Sequence, residues 1–182
     1  MKIPRYLFLD RDGVINKRIP GRYVTEISEF EFLVDVPHAI AQLSPLFDVI
    51  VVVTNQAGIG KGLLTEEELH KLHGYMLREI EKAGGQIDAI YYCPRRAEEN
   101  PSCRKPNPGM ALQAQQDFPE IVFEQSIMVG DSYSDIRFGK QLGMRTVLIS
   151  GKVEEEAILQ KVNVDFRFDS LSQFATFWLE KS

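Results

Sequence analysis

The 182-residue chain predicts an α/β fold, a three-layer Rossmann-like domain with a central parallel sheet. Two observations carry this. Short β-branched and aromatic runs alternate with helical patterns, which means crossover units and parallel strands. The run Val49-Ile50-Val51-Val52-Val53 is apolar throughout, as a strand covered on both faces requires. With 44% hydrophobic and 26% charged residues the composition is globular, and residues 1–182 are expected to form one domain.

Tyr6-Leu7-Phe8-Leu9 reads as the first strand, residues 37–46 as a helix and 49–53 as the second strand. The clearest helix opens at Thr65, where Glu68 three residues on completes a capping box. Leu69, Leu72, Met76, Ile80 and Ala83 form its apolar face and Gly84-Gly85 stops it. His70 and His73 lie off that face and are expected on a solvated surface. Residues 87–92 make a third strand, and Asn107-Pro108 reads as a cap with proline in the first helical position. Strands at 127–129 and 146–149 bracket a helix at 133–142. A helix at 153–162 opens with three glutamates that suit its dipole. A weak edge strand near 164–168 and a helix at 171–179, with Phe174, Phe177 and Trp178 as packing residues, close the pattern.

A net charge of −5 argues against nucleic acid or an anionic membrane as partner. No run approaches the ~20 apolar residues of a membrane span. The apolar run after Met1-Lys2-Ile3-Pro4-Arg5 is too short for a secretory signal. Two cysteines, Cys93 and Cys103, cannot build a disulfide framework; they are expected as reduced thiols in a cytoplasmic protein. A monomer is expected.

The chemistry lies where strands end. The first runs into Asp10-Arg11-Asp12-Gly13, the second into Thr54-Asn55-Gln56, and the fourth into Gly130-Asp131-Ser132-Tyr133-Ser134-Asp135. In an open parallel sheet that edge binds ligands. Clustered carboxylates repel unless a cation joins them, and an all-oxygen set suits Mg²⁺. Two long connections, 17–31 and 94–106, leave the same edge, and the second carries Arg104 and Lys105, which could hold a phosphate.

Asp10-x-Asp12-Gly13-Val14, Thr54 after an apolar strand, Lys105, and Gly130-Asp131-Ser132-x-x-Asp135 together resemble the haloacid dehalogenase superfamily of phosphohydrolases. The resemblance implies that Asp10 is the nucleophile and Asp12 the acid and base. Thr54 and Lys105 would hold the phosphoryl group. Mg²⁺ would sit on Asp10, Asp12 (through its carbonyl) and Asp131, with Asp135 behind them. The stretches 9–16, 53–62, Tyr92-Cys93-Pro94 and 103–110 are most similar to the capless D-glycero-D-manno-heptose 1,7-bisphosphate phosphatase and histidinol-phosphatase family. That implies a phosphorylated sugar substrate and a place in surface-glycan (lipopolysaccharide) synthesis. Substrate contacts would come from Arg11, Arg18, Tyr23, Asn55, Gln56, Lys61 and Arg104.

Arg18 and Arg22 in the first long loop, and the cationic set around Lys105, favour a sugar bisphosphate over histidinol phosphate, the alternative substrate. An idle binding scaffold is the alternative of another class, although every catalytic position is intact. Relatives carry a zinc loop with three Cys and one His. Cys93-Pro94-Arg95 and Pro101-Ser102-Cys103 retain two of the four ligands, so no structural zinc is expected.

Overall fold

The first strand, β1 (Tyr6–Leu9), is buried at every residue, because it lies in the middle of the sheet. The computed structural model describes residues 5–150 and 152–181. Of the stretch weighed above as a leader, residues 1–4 lie outside them, and its apolar run is β1. β2 (Val49–Asn55) and β3 (Ala89–Cys93) extend the sheet on one side. β4 (Ser126–Gly130), β5 (Arg145–Ile149) and β6 (Phe166–Phe168) extend it on the other. The order is β3-β2-β1-β4-β5-β6, and every pair is parallel. The order reverses direction between β1 and β4, the switch point where open α/β sheets bind ligands.

Alternation of side chains along the strands sorts the interior into two layers. Leu7, Leu9, Ile50, Val52, Ile127 and Val129 face α1 (Val36–Leu43), α3 (Glu66–Lys82) and α7 (Leu171–Leu179). Phe8, Val51, Val53 and Met128 face α4 (Gly109–Asp117) and α5 (Tyr133–Gln141). A four-residue turn of helix, α2 (Ala57–Gly60), follows β2, and another, α6 (Glu156–Leu159), follows β5. Neither α2 nor the shortness of α6 was expected.

The Thr65 capping box forms as anticipated: Glu68 N–H donates to Thr65 Oγ1 and Thr65 N–H to Glu68 Oε2. Most boundaries shift by a residue or two, and the helix expected at 37–46 ends at Leu43 and continues as a 3₁₀ turn. Three differences have a visible cause. β3 begins two residues late because the Asp88 carboxylate accepts the Ile50 amide, at 2.7 Å. Asn107 does not cap α4, since its side-chain amide donates to Asn100 and to the Pro101 carbonyl. The helix expected at 153–162 breaks into a 3₁₀ turn, Val153–Glu155, and α6. Glu155 is drawn off to accept the Tyr133 amide at the start of α5, and Arg167 takes the Leu159 carbonyl.

Cys93 and Cys103 are joined as a disulfide, correcting the expectation of reduced thiols. The 94–106 connection doubles back on the end of β3 and brings the two Cα atoms to 5.3 Å. The cysteines therefore no longer argue for a reduced compartment. Among the described residues no helix is long and apolar enough to cross a membrane.

Candidate active site

Register places the functional residues at one level. Leu9 stands opposite Val52 on one side and Val129 on the other, so Asp10 and Asp131 leave the sheet beside Thr54, which is still within β2. A cleft of about 450 Å³ opens there. Asp10, Asp12, Thr54, Lys105 and Asp135 line it, with Arg18, Tyr23, Asn55, Lys61 and Arg104 among its walls. Asp10, Asp131 and Asp135 each offer a carboxylate oxygen within 4.8 Å of the others.

Lys105 is the internal counter-charge. Only 3% exposed, its ammonium donates to Asp10 Oδ1 at 2.8 Å and to the Val53 carbonyl at 2.6 Å, and it lies 2.7 Å from Asp135 Oδ1. Asn55 holds it there: the Asn55 side chain accepts from the Lys105 N–H at 3.0 Å and donates to its carbonyl at 3.2 Å. Burial works against the charge on Lys105, but Asp10 and Asp135 overcome it and push the group up to about 12. Asp135 faces two ways. Its Oδ2 accepts from the Asp131 and Ser132 amides and the Ser132 hydroxyl, which ties the loop after β4 to α5.

The remaining carboxylates differ by environment. Burial, then the charge of Asp135, raises Asp10 to about 6 despite Lys105. Burial, then Asp10 and Asp135, raises Asp131 to about 8. Burial would also raise Asp12, yet the Arg11 charge and hydrogen bonds from Asn16, Arg11 and Gln56 hold it below the usual carboxylate range. The fully buried Oδ1 of Asp131 has no hydrogen-bond partner. Gly13 stands at φ 93° against the same carboxylate, where a Cβ would collide with it.

Two expected substrate contacts are corrected. Arg11 has no exposed surface; it turns inward, packs on the Phe30 ring and binds Asp12 and His73. Gln56 is equally enclosed, and its amide donates to Asp12 Oδ2 and Thr54 Oγ1, both at 2.9 Å. Asn55 lines the cleft, but both ends of its amide serve the Lys105 backbone. Arg18 lines the cleft with its guanidinium paired to the Asp131 carboxylate. Lys61 lies over the Tyr23 ring, 5.2 Å from its centroid. His73, expected on a solvated surface, is buried behind Asp12. Lys152 also lines the cleft, unforeseen from the sequence. The available signal was that β5 ends at the same edge, so its following loop also belongs to the site.

Comparison with known proteins agrees with this geometry. A family model described as HAD-hydrolase-like matches residues 102–174. The D-glycero-alpha-D-manno-heptose-1,7-bisphosphate 7-phosphatase of Burkholderia mallei is 41% identical over 152 residues, 80% of this chain and 79% of that protein. The D-glycero-beta-D-manno-heptose-1,7-bisphosphate 7-phosphatase of Vibrio cholerae is 39% identical over 79% of each chain. The crystal structure of D,D-heptose 1,7-bisphosphate phosphatase from B. bronchiseptica, complexed with magnesium and phosphate, superimposes with a TM-score of 0.89. It is 28% identical, and the match covers 98% of this chain and 99% of that one. With its parallel order, its Asp10–Asp12 turn and these relatives, the chain belongs to the haloacid-dehalogenase-like hydrolases, in the family of the D-glycero-D-manno-heptose-1,7-bisphosphate 7-phosphatases.

Proposed function

We propose that this protein is a Mg²⁺-dependent phosphatase that removes the 7-phosphate of D-glycero-D-manno-heptose 1,7-bisphosphate through an aspartyl-phosphate on Asp10. The observation that carries the reading is the contact of Asp10 Oδ1 with Lys105 Nζ, 2.8 Å apart at the base of a cleft with cationic walls. A carboxylate so placed can attack phosphorus while the neighbouring ammonium offsets charge on the transferring group.

Asp10 forms a bond to phosphorus as the bond from phosphorus to the sugar oxygen breaks. Asp12, one turn residue away, gives its proton to that oxygen. It then takes a proton from the water that attacks the phospho-Asp10, releasing inorganic phosphate and restoring the Asp10 carboxylate. Asp12 rests ionised, the form needed for the water step. The negative charge of an arriving phosphate raises its proton affinity for the first step. Thr54 Oγ1 and the Lys105 ammonium bind phosphoryl oxygens.

The residues fit a hard divalent cation. Asp131 offers a buried oxygen without a partner, Asp10 a second carboxylate and Asp12 its carbonyl, an all-oxygen set. Bound there, Mg²⁺ supplies charge neutralisation for the phosphoryl group and keeps Asp10 ionised. The magnesium and phosphate in the related B. bronchiseptica structure support that assignment. Arg104, Arg22 and Lys61 on the cleft walls would bind the second phosphate and the sugar.

Phosphate release with Mg²⁺ from both anomers of heptose 1,7-bisphosphate, histidinol phosphate and sugar monophosphates tests the reading. Preference for the bisphosphate, lost in Asp10→Asn, is expected. Preference for histidinol phosphate sinks the substrate assignment, and no Asp10-dependent release from any ester sinks the phosphatase reading.

A further inference from the structure

Behind Asp12, away from the cleft, lies a chain of polar groups that the reaction above does not use. The Arg11 guanidinium is enclosed and packed 5.9 Å from the Phe30 ring centroid. Its Nη2 donates to Asp12 Oδ1 at 3.0 Å, and its Nη1 meets His73 Nε2 at 3.1 Å. Arginine has donors only, so Nε2 is the lone-pair nitrogen of a neutral imidazole with its proton on Nδ1. Burial, reinforced by the Arg11 charge, keeps the ring neutral, with its pKa lowered to about 3. His73 itself comes from α3, is 5% exposed, and packs edge-on against Tyr92.

A histidine in an apolar face is ordinarily filler. Here its position is harder to dismiss. Asp12 Oδ1 takes two hydrogen bonds, from Arg11 and Asn16, both at 3.0 Å, leaving Oδ2 with one, from Gln56. Oδ2 is therefore the less saturated oxygen, and the orientation of the carboxyl is set by Arg11 and Asn16. Arg11 Nε already lacks a partner, so His73 is what fixes the far arm of the guanidinium. A planar, two-armed bridge of this kind transmits orientation as a flexible ammonium cannot.

We propose that His73 is a positioning residue: by anchoring Arg11 it holds the Asp12 carboxyl in line with the oxygen of the leaving alcohol. The inference rests on the role given to Asp12 above. A displacement of about 1 Å at a proton-transfer group lowers the rate on the order of 10²-fold. That loss falls on substrates whose leaving group needs a proton. An alkyl alcohol needs one; p-nitrophenolate does not.

The test is kcat/KM with Mg²⁺ for wild type, His73→Leu and His73→Gln on a sugar phosphate and on p-nitrophenyl phosphate. This ratio reports steps up to formation of phospho-Asp10, so the later water step, also served by Asp12, does not enter. His73→Leu is expected to lose on the order of 10²-fold on the sugar phosphate and less than about threefold on the aryl ester. His73→Gln, whose Oε1 can accept from Arg11, is expected to recover most of the sugar-phosphate rate. Equal losses on both esters, or a folded His73→Leu with no loss, overturn the inference. Should His73→Leu fail to fold, Arg11→Lys keeps the charge without the bridge and must show the same selectivity; an even loss there overturns it. Wild type inert on both esters would instead remove the phosphatase reading, and this inference with it.

Discussion

Arg18 Nη2 sits between the Asp131 carboxylate and the Asp12 carbonyl oxygen, an ion pair to the first and a 3.2 Å hydrogen bond to the second. The Asp12 carbonyl is one of the oxygens assigned above to the cation, and the Asp131 contact is to Oδ2, beside the Oδ1 assigned to it. A metal ion on the Asp12 carbonyl must therefore displace Arg18 from it. A partly exposed ion pair of this kind stabilises by about 1 kcal/mol, which corresponds to about fivefold in affinity. Arg18→Gln should therefore bind Mg²⁺ about fivefold more tightly by calorimetry without substrate, while its KM rises. Weaker metal binding by the variant would show that Arg18 supports the site rather than competing for it.

Asp10 and Asp131, raised to about 6 and about 8, give the metal site a definite pH dependence. Both lie above the unfolded carboxylate value of about 4. Between those limits these two carboxyls bind more protons in the folded state than in the unfolded one, so their contribution to metal-free stability falls as pH rises from about 4 to about 8. A divalent cation replaces those protons and removes the repulsion. Saturating Mg²⁺ should raise the thermal midpoint more at pH 8 than at pH 5.5. An equal or larger rise at pH 5.5 would contradict the carboxylate assignment.

The Lys105 ammonium donates to Asp10 and the Val53 carbonyl and is ion-paired with Asp135. Removing that charge strands two buried carboxylates. Lys105→Met should lower stability by about 3–5 kcal/mol in metal-free urea unfolding, with Mg²⁺ narrowing the gap. Lys105→Arg should not restore it, because a planar guanidinium cannot reach three acceptors arranged around one nitrogen. A loss below about 1 kcal/mol in Lys105→Met would mean the pair is solvated in practice.

Much of this site was legible because strand ends announce it. Asp10, Thr54 and Asp131 follow apolar runs whose parallel pairing forces their exits to one edge, so identity and spacing sufficed. What escaped depended on side-chain direction within turns. Arg11 lies between Asp10 and Asp12 in sequence, which suggests a shared site, yet the turn that aims Asp10 into the cleft aims Arg11 into the core. A helical face of apolar residues alone puts His73 at the surface, although it stands four residues after Leu69 and three before Met76 on the buried side. The Cys93–Cys103 pairing depends on how the 94–106 connection doubles back, which no local pattern specifies. Lys152 belongs to a loop without any motif, brought to the site by the Lys152 N–H bond to the Asp131 carbonyl, at 2.8 Å.

Gly13 offers a test of how closely the backbone is fitted to Asp131. At φ 93° it holds a conformation that side chains disfavour, and an added Cβ would strike the Asp131 carboxylate. Gly21, at φ 73°, lies in the same segment but has nothing within 4 Å of the corresponding position. Gly13→Ala combines strain with displacement of Asp131, the proposed cation ligand, whereas Gly21→Ala carries strain alone. Both should lose about 1–3 kcal/mol of stability. Gly13→Ala alone should also weaken Mg²⁺ binding by about tenfold or more, the equivalent of a further 1.4 kcal/mol. Calorimetric titration of the two variants separates the effects. If Gly13→Ala binds Mg²⁺ as tightly as Gly21→Ala, Asp131 can move aside freely and its place in the cation site is not set by this turn.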